Sequence, residues 1–359
     1  MKILFTIGSL DSGGAEKVVT TLANNFCENG HNVAILMISE NEKKSFYSLN
    51  KSLDLIPLLN KQQKYSINTK INEIKKEIEK FDPDVVIAFL NYVIVYTYFA
   101  LKRCSNRKKI SFIVSERNNP KVVPSSLGYR MLRNHIFKKA DGCVFQTQDS
   151  KNYFKRIKKS AIIPNPVFLN NVSPRTEISD DVLMVGSDKK EKNRSMAFKA
   201  FAIYKNTNPN SKLIVVGEDS NKEEKDLIKR LNIENCVIFV GKQKDWHEKY
   251  IDSKMFVLSS DFEGMPNALL EACALQIPCV STNCPSGGPK EILENGKRGI
   301  LVPVNNHVEM AKQMNIISKN IELSDYYSKI NADLKSLYDE RKIAKRWLEF
   351  IEYIKDSKN

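Results

Sequence analysis

The sequence lacks the cysteine pairs and histidine clusters on which disulfide frameworks and zinc sites depend. Its seven cysteines form no C-x-x-C pair and have no metal-site spacing with the four histidines. We therefore expect buried thiols in a reducing compartment. No serine or cysteine lies in a nucleophile elbow, which leaves covalent hydrolase chemistry without a candidate.

Nucleotide-binding and membrane signatures are missing too. There is no G-x-G-x-x-G and no Walker lysine, so nicotinamide and P-loop sites are disfavoured. The N-terminal run KILFTIG is short and leads into DSGGAE, so we expect no signal peptide. Residues 85–101 lack charge, but Asn91 and three tyrosines interrupt them, and their length is at the lower limit for a membrane span. A buried strand, a turn at Asn91 and a buried helix explain them better.

One pair of carboxylates resembles a metal site of some sugar transferases. Asp82 and Asp84 have the Asp-x-Asp spacing, but they precede a strand instead of ending one. This places them at the wrong edge of a parallel sheet for a ligand site. We therefore predict no metal site.

Positive charge is abundant and concentrated. The chain carries a formal net charge of +14, and residues 101–160 alone hold sixteen Lys or Arg against three acidic residues. Such a stretch favours phosphate groups of a nucleic acid, a substrate or an anionic membrane. A solvated face of a lysine-rich protein is the alternative. Few aromatic residues for base stacking and no recognition motif accompany the stretch, so we predict no nucleic-acid partner.

Length and pattern predict two domains of the α/β class. A chain of 359 residues exceeds what one core usually supports. Apolar runs such as KILFTIG and VVIAFL alternate with helical segments, among them KNYFKRIKK and residues 324–338, which predicts parallel sheets covered on both faces. We predict two doubly wound Rossmann-like domains that face an interdomain cleft: residues 1–168, a linker at 169–180, and residues 181–340. The amphipathic helix 341–359 is able to pack back on the first domain.

Two glutamates eight residues apart give the most informative local pattern. Glu263 follows the buried strand MFVLSS in a turn with Gly264, and Pro266 opens the helix that carries Glu271. The free N–H groups and partial positive charge of a helix N-terminus bind anions. Carboxylates beside such a site accept hydrogen bonds from hydroxyls. We therefore expect a ligand that carries both phosphate and sugar.

Two other loops follow strands and have chemistry suited to phosphate. Gly13 and Gly14 lie between the first strand and the first helix, where missing Cβ atoms allow close approach. Lys189, Lys190 and Lys192 crowd the loop after DVLMVG, where an ammonium group could offset charge on a departing phosphate. A tight structural turn and a solvated lysine loop are the respective alternatives.

These patterns occur together in one known family. SGGAE near the start, E-G-x-P-x-x-x-x-E from Glu263 and then SGGPKEILENGKRGILVPVNN, in this order and spacing, resemble the retaining glycosyltransferases of family 4. That family has the two-domain GT-B fold, and the resemblance covers essentially the whole chain. IVSERNNP and IIPNPV are similar to the branch that builds bacterial surface polysaccharides and lipid-linked oligosaccharides, including lipopolysaccharide O-antigen and capsule.

The resemblance implies a role for each motif residue. It assigns the leaving diphosphate to Lys192 and the donor sugar's hydroxyls to Glu263, the two catalytic candidates. It gives Glu271 the ribose and the backbone near Gly241 the nucleobase. The full set of donor contacts implied is Gly13, Gly14, Ser187, Lys189, Gly241, Lys242, Gly264, Met265, Pro266, Asn267 and Glu271. It implies no metal and no other cofactor.

Two positions depart from the family pattern. Ser187 stands where the family often has arginine; Lys189, Lys190 or Arg194 would replace the lost charge, or a single lysine holds the diphosphate alone. Arg117 stands where many members have histidine after Ser-Glu. Because arginine cannot act as a base at neutral pH, we assign it only a phosphate or acceptor contact.

The resemblance implies retaining transfer of a hexose or N-acetylhexosamine from a nucleotide diphosphate sugar, UDP-linked by preference, to a growing lipid-linked bacterial oligosaccharide. The expected partners are that donor, a polyprenyl-diphosphate-linked acceptor and an anionic membrane surface bound through residues 101–160. The protein would then be cytoplasmic and peripheral on the inner membrane. A nucleotide-sugar 2-epimerase of GT-B fold is the alternative enzyme, although no histidine for its acid–base chemistry is evident. A basic nucleic-acid-binding protein is the alternative of a different class.

Overall fold

The computed structural model describes residues 1–59, 63–169, 172 and 175–358, which form two compact units. Unit 1 comprises Met1–Pro166 and Glu340–Asn359, and unit 2 comprises Val167–Asp339. Residues 170, 171, 173 and 174 of the predicted linker lie outside the described residues. After them, Arg175 Nε donates to the carbonyl of Ile251 at 3.1 Å, so the end of the predicted linker belongs to unit 2.

Unit 1 is a parallel sheet with helices between its strands. Its elements are β1 (Lys2–Ile7), α1 (Gly14–Glu28), β2 (Asn32–Met37), β3 (Asp54–Pro57), α2 (Ile67–Phe81), β4 (Val85–Phe89), α3 (Asn91–Arg103), β5 (Ser111–Ser115), α4 (Leu127–Lys139), β6 (Gly142–Phe145), α5 (Gln148–Tyr153) and β7 (Ser160–Ile162). The strand order is β3-β2-β1-β4-β5-β6-β7, and the pairings are parallel. The order reverses between β1 and β4, which marks a switch point of the doubly wound type.

Apolar side chains on both faces hold this sheet. β4 and β5 are buried along their whole length, as strands between two helical layers must be. Phe5 and Phe26 belong to a core on the α1 side, whereas Leu4 and Ile74 belong to a second core on the α2 side. The sheet therefore separates two hydrophobic layers within unit 1.

Unit 2 repeats the design. Its elements are β8 (Val182–Val185), α6 (Arg194–Lys205), β9 (Leu213–Val216), α7 (Lys222–Arg230), β10 (Val237–Phe239), α8 (His247–Tyr250), β11 (Met255–Leu258), α9 (Asn267–Ala274), β12 (Cys279–Thr282), α10 (Gly288–Ile292), β13 (Ile300–Val302), α11 (His307–Lys319), α12 (Ile321–Ile330) and α13 (Leu334–Leu337). The parallel strands lie in the order β10-β9-β8-β11-β12-β13. The order reverses between β8 and β11.

The last helix, α14 (Glu340–Asp356), packs on unit 1. Ile343, Trp347, Phe350 and Ile354 recur at helical spacing and join the core on the α1 side. The Trp347 ring is fully buried and stacks on Phe89, with 5.9 Å between ring centroids. The amphipathic pattern of this segment therefore serves a core contact.

Several local predictions are wrong in detail. The helix predicted at 151–159 is α5 instead, which begins at Gln148 because Thr147 Oγ1 accepts the N–H of Ser150 at 3.1 Å, and which ends at Tyr153. The single helix predicted at 324–338 is divided into α12 and α13. The edge strand β3 is absent from the predicted elements.

The uncharged stretch 85–101 forms the predicted buried strand and helix, but the turn lies at Leu90, which has a φ of 72°, and not at Asn91. β4 ends at Phe89, α3 begins at Asn91, and both are largely buried in unit 1. Within the described ranges, no helix combines the length and the apolar character that a membrane span requires. The seven cysteines are free thiols, five of them buried.

Candidate active site

The candidate site of unit 2 lies at the carboxyl ends of its central strands. β8 and β11 are paired neighbours, and the strand order reverses between them. The loop after β8 ends in a 3₁₀ turn at Lys190–Lys192, and the loop after β11 carries Glu263. Both loops thus leave the sheet at its switch point, where an open parallel sheet binds its ligand.

Lys192 and Glu263, which are 71 positions apart in the chain, form an ion pair at this point. Lys192 Nζ is 2.7 Å from Glu263 Oε1, and Ser260 Oγ donates to the same oxygen at 2.7 Å. The lysine side chain is 26% exposed and the glutamate side chain 11% exposed, so the pair is shielded but accessible.

The charge of Lys192 is secured by its partner. Burial alone would lower the pKa of its ammonium group, but the negative charge of Glu263 and the hydrogen bond to it prevail and hold this pKa above the ordinary value. Lys192 is therefore a fixed cation at neutral pH, placed beside a carboxylate acceptor.

Backbone contacts fix the Glu263 loop to the loop after β12. Glu263 N donates to Pro285 O at 2.9 Å, and Ser286 N donates to Glu263 O at 3.1 Å. Gly288 permits this close packing, because a Cβ there would lie 2.0 Å from the carbonyl oxygen of Gly264. The carboxylate is therefore carried by a loop that is held on both sides.

Glycine backbone also joins the loops after β8, β9 and β10. Gly186 N donates to Val216 O at 2.9 Å, and Gly217 N donates to Gly241 O at 3.0 Å. Gly217 has a φ of +154°, and a Cβ there would lie 2.0 Å from Gly186 O. The loop after β10, which is predicted to contact the nucleobase, is therefore hydrogen-bonded to the loop after β9. That loop is in turn bonded to the loop after β8, which is predicted to hold the diphosphate.

Three polar donor-contact candidates lie on these loops. Ser187 is half-buried, whereas Lys189 and Lys242 are exposed. Lys242 Nζ is 2.9 Å from Glu218 Oε1, a neighbour on the loop after β9. Their ligand contacts stay predictions.

Arg194 does not replace the arginine that the family often has at position 187. Arg194 is 2% exposed, and its Nε donates to Glu224 Oε1 at 2.8 Å while Nη2 pairs with the other carboxylate oxygen. Nη1 donates to Glu218 O at 2.7 Å and Nη2 also to Asp219 O at 3.2 Å. A guanidinium group so fully bonded supports the start of α6 and α7, so this candidate is withdrawn; Lys189 and Lys190 remain, both exposed.

The backbone predicted to touch sugar and phosphate leads into α9. Gly264, Met265 and Pro266 are buried and Asn267 is half-buried. Pro266 is the residue before the first helical position, one place earlier than expected, and α9 begins at Asn267. The first N–H groups of the helix lack helical acceptors, which suits an anion.

Glu271 lies in the interior of unit 2. It is 3% exposed, and its Oε2 accepts the indole N–H of Trp246 at 3.1 Å. From the sequence we expect the carboxylate of Glu271 to face the ribose of the donor. The ribose contact stays a prediction, and the observed neighbour is a tryptophan.

Gly13 and Gly14 lie in unit 1, after β1 and beside that unit's switch point. α1 begins at Gly14, and Gly13 precedes it with a φ of −82°. A Cβ on Gly13 would lie 2.0 Å from Glu16 Oε2, and Tyr47 Oη donates to Gly13 O at 3.3 Å. The space that glycine leaves is thus next to the Glu16 carboxylate, and the predicted diphosphate contact stays a prediction.

Two residues of the site are missing from the sequence-based list. Ser260 orients Glu263, as described above, and no local pattern distinguishes it. Asn193 adopts a left-handed φ of 44°, caps α6 by accepting from Met196 N at 3.2 Å, and donates to Asp261 Oδ1 at 2.7 Å. Asparagine tolerates the left-handed conformation and is a favoured N-cap residue. An asparagine between Lys192 and a predicted helix could therefore have indicated this cap from the sequence.

The Asp-x-Asp pair precedes β4 in unit 1, at the amino end of that strand and not at its carboxyl end. Asp84 accepts from Lys2 N at 2.8 Å just before β4, and Asp82 Oδ1 accepts from Asn106 Nδ2 at 2.7 Å. Among residues 1–59, 63–169, 172 and 175–358, no three His, Cys, Asp or Glu side chains lie grouped in a way that could hold a metal ion.

Two family models match successive parts of the chain. The model described as Glycosyltransferase Family 4 matches residues 12–171. The model described as Glycosyl transferases group 1 matches residues 169–333. Together they span both units.

Two curated relatives match nearly the whole chain. A Campylobacter jejuni protein named GalNAc-alpha-(1->4)-GalNAc-alpha-(1->3)-diNAcBac-PP-undecaprenol alpha-1,4-N-acetyl-D-galactosaminyltransferase is 27% identical, over 88% of this chain and 89% of that protein. A second C. jejuni protein, named N-acetylgalactosamine-N,N'-diacetylbacillosaminyl-diphospho-undecaprenol 4-alpha-N-acetylgalactosaminyltransferase, is 27% identical over 98% of this chain and 99% of its own length.

A solved structure supports the fold. Sucrose-phosphate synthase from Thermosynechococcus elongatus matches with a TM-score of 0.84 at 15% identity, over 99% of each chain. The predicted α/β fold with two Rossmann-like domains is confirmed. The protein is a hexosyltransferase, and it belongs to the family 4 glycosyltransferases of GT-B fold.

Proposed function

We propose that the protein transfers a hexose or N-acetylhexosamine, with retention of configuration, from a UDP-linked sugar to a lipid-linked bacterial oligosaccharide. The ion pair of Lys192 and Glu263 carries this proposal. A ligand with phosphate next to sugar needs a cation and a carboxylate side by side, and these two groups are 2.7 Å apart.

Charge stabilisation is the main task of the site. An ammonium group has three N–H donors, and the structure assigns one of those of Lys192 to Glu263. The remaining N–H donors of Lys192 are suited to bind oxygens of the leaving diphosphate. The N-terminus of α9 provides a second source of positive potential. In this scheme no metal is needed.

The bond changes balance without a protein base. The bond between C1 and the phosphate oxygen breaks, and a bond from C1 to the acceptor oxygen forms on the face that the nucleotide leaves. The acceptor's proton passes to the departing phosphate. Configuration at C1 is therefore retained.

The acceptor class rests on the relatives. Both C. jejuni proteins are named for glycans on undecaprenyl diphosphate, and the likeness to each extends over most of the chain. We infer a polyprenyl-diphosphate-linked acceptor for this protein too, in the synthesis of O-antigen, capsule or a related glycan.

A lipid-linked acceptor requires contact with a membrane, and residues 101–160 offer basic side chains for it. Of the sixteen Lys and Arg, ten are exposed and four half-buried, whereas Arg117 and Arg133 are buried. The stretch is therefore a less strongly basic surface than its composition indicates. We propose peripheral attachment to the cytoplasmic face of the inner membrane through the exposed part.

One patch of this surface is apolar as well as basic. Leu127 and Met131 are 66% and 65% exposed and lie on one face of α4. Arg130, on the same helix, donates from Nη1 to the backbone carbonyl of Lys121 at 2.9 Å, which joins the segment at 121–122 to α4. Val122, the residue after Lys121, is 43% exposed. Exposed apolar residues together with basic ones suit an anionic lipid surface.

Sedimentation with vesicles tests the attachment. The protein should bind anionic vesicles at low salt and leave them at high salt, and a Leu127→Ser/Met131→Ser variant should bind less. Ile67→Ser is the matched control, because Ile67 is 62% exposed on α2 of the same unit. Equal binding to neutral and anionic vesicles would contradict the proposal.

A product screen tests the transfer itself. The purified protein is incubated with a panel of nucleotide sugars, with and without a polyprenyl-diphosphate-linked acceptor, and nucleotide release and glycolipid mass are measured. We expect one donor to give nucleotide and extended glycolipid together, with the anomeric configuration of the donor by NMR. Interconversion of the nucleotide sugar without acceptor would indicate the epimerase, and an inverted product would exclude retention.

A further inference from the structure

Buried polar atoms without a hydrogen-bond partner concentrate at one edge of unit 1. Among the described residues they include both amide atoms of Asn91, Oγ of Ser115, Nε and Nη2 of Arg117 and Oε1 of Gln146. Asn91 opens α3 after β4, Ser115 ends β5, and Arg117 and Gln146 follow β5 and β6. These three strands are neighbours in the sheet, so the four residues share its carboxyl edge. Most buried polar groups in proteins are paired, so such a concentration points to a binding site.

Arg117 is the charged member of this edge. It is 7% exposed, and its guanidinium carbon lies 4.6 Å from the ring centre of Phe89 and 5.7 Å from that of Trp347. Nη1 donates to Asn165 Oδ1 at 2.6 Å, and Gln146 Nε2 donates to the same oxygen at 2.7 Å. Nε and Nη2 form the other side of the guanidinium fork, whose parallel N–H groups fit two oxygens of one phosphate.

The positive charge of Arg117 is not balanced locally. Glu116 is the adjacent carboxylate, but its Oε2 is 3.2 Å from Nη1 of the fully buried Arg133. Arg133 is saturated by protein: its Nε donates to Asn134 Oδ1 at 3.1 Å, and its other nitrogens reach carbonyls of the 120–123 loop. Two guanidinium groups thus share one carboxylate. Burial lowers the pKa of Arg117 to about 9, which leaves it a cation at neutral pH.

We propose that the carboxyl-edge cluster of unit 1, defined as Asn91, Ser115, Arg117, Gln146 and Asn165, binds a phosphate group of a substrate. The inference deepens the proposed function and rests on it, because that reaction has two phosphate-bearing substrates, the nucleotide sugar and the lipid diphosphate. Arg117 takes two phosphate oxygens through Nε and Nη2, and the neutral side chains bind adjoining hydroxyls. Asn91 and Arg117 are each 7% exposed, so the ligand would meet a largely buried edge.

Variants of the two neighbouring arginines test this assignment. Arg117→Gln removes the charge and the fork, and Arg117→Lys keeps the charge without the fork. Arg133→Gln is the matched control, since Arg133 is also buried and pairs with Glu116, the neighbour of Arg117, but has its donors paired with protein. KM for donor and for acceptor, kcat and Tm are measured for each protein.

Arg117→Gln should raise KM for one of the two substrates about tenfold or more, with Arg117→Lys between it and the wild type. A rise for the acceptor alone identifies the lipid diphosphate, and a rise for the donor alone identifies the nucleotide sugar. Arg133→Gln should lower Tm and leave both KM values within about twofold. Equal KM changes in the Gln variants at 117 and 133, or unchanged KM values in Arg117→Gln, would overturn the assignment.

A direct binding measurement separates this inference from the transfer reaction. Inorganic diphosphate is titrated against Lys192→Ala and against Lys192→Ala/Arg117→Lys, so that the unit 2 site contributes little to either. The first variant should gain Tm with diphosphate and the second should gain less. Equal increases in Tm for the two variants would refute the phosphate site, even if the wild type transfers sugar. If instead the wild type shows no sugar transfer, the proposed function alone is refuted.

Discussion

Replacing Lys192 by alanine tests the central feature of the site. The change leaves Glu263, whose side chain is 11% exposed, without its cation and with Ser260 as its remaining side-chain partner in the pair. Breaking a fully buried pair costs about 3–5 kcal/mol. Lys192 is 26% exposed, so solvent screens part of the charge, and we expect roughly 2 kcal/mol less free energy of unfolding. For a domain of this size that lowers Tm by roughly 4–8 °C.

The catalytic effect should be larger than the effect on stability. Loss of one preorganised group that stabilises transition-state charge typically lowers kcat about 10²–10³-fold. We expect a decrease of this size in sugar transfer by Lys192→Ala, measured by glycolipid formation at saturating donor and acceptor, at a temperature well below the lowered Tm.

The neighbouring lysines provide the control. Lys189→Ala and Lys190→Ala remove the same charge from the same loop, but both side chains are exposed. An exposed charge contributes at most about 1 kcal/mol, so these variants should retain kcat within roughly fivefold. If Lys192→Ala kept more than about a tenth of the wild-type kcat, or if Lys189→Ala lost as much, the reasoning from the ion pair would be refuted.

Other expected outcomes follow from the same contacts. Glu263→Gln removes the negative charge that raises the pKa of Lys192, while burial, which lowers this pKa, remains. The ammonium group loses its proton as the pH rises through its pKa. In a profile of kcat/KM against pH, the residual transfer of the variant should therefore decline at a lower pH than that of the wild type. Arg194→Met orphans the buried Glu224 and should cost about 3–5 kcal/mol in urea unfolding, with the donor's KM unchanged; a raised KM at full stability would show that Arg194 meets the donor after all. Transfer should be equal in EDTA and in Mg²⁺, and a loss in EDTA that Mg²⁺ restores would contradict the metal-free scheme.

The fold was predictable because most strands are buried on both faces. β4 and β11 are continuous apolar runs, which single out central parallel strands. The strand β3 is not predicted from the sequence, because its extended backbone depends on pairing with β2. It is a four-residue strand at the edge of the sheet, beginning at Asp54 and ending at Pro57. Asp and Pro disfavour a strand locally, and only the ladder with β2 explains it.

Helix ends were less predictable, because tertiary contacts set them. The break between α12 and α13 lies at Asn331, whose Nδ2 donates to Arg298 O at 2.9 Å. Arg298 Nη1 in turn is 2.6 Å from Asp333 Oδ1. These contacts join segments more than thirty positions apart, so apolar periodicity alone predicts one helix.

The candidate site came from motif resemblance, since no local pattern links Lys192 to Glu263. Their contact depends on β8 and β11 being adjacent, which the sequence implies only through the fold. The burial of two basic residues could not be predicted from the sequence either, because it also depends on the fold. Arg117 and Arg133 count toward the basic stretch in composition, yet both lie inside unit 1, one of them beside the carboxylate of Glu116.

The distribution of charge around Lys192 indicates how a site without arginine at position 187 can hold a diphosphate. Lys192 offers one positive charge and shares it with Glu263, while Arg194 is committed to Glu224. Lys189 is exposed, where salt screens it strongly. The N-terminal N–H groups of α9 lie next to the buried Gly264–Pro266 backbone, and partial charges in such surroundings are screened much less. The diphosphate proposed for this site would therefore be held by one cation and a helix N-terminus rather than by two cationic side chains.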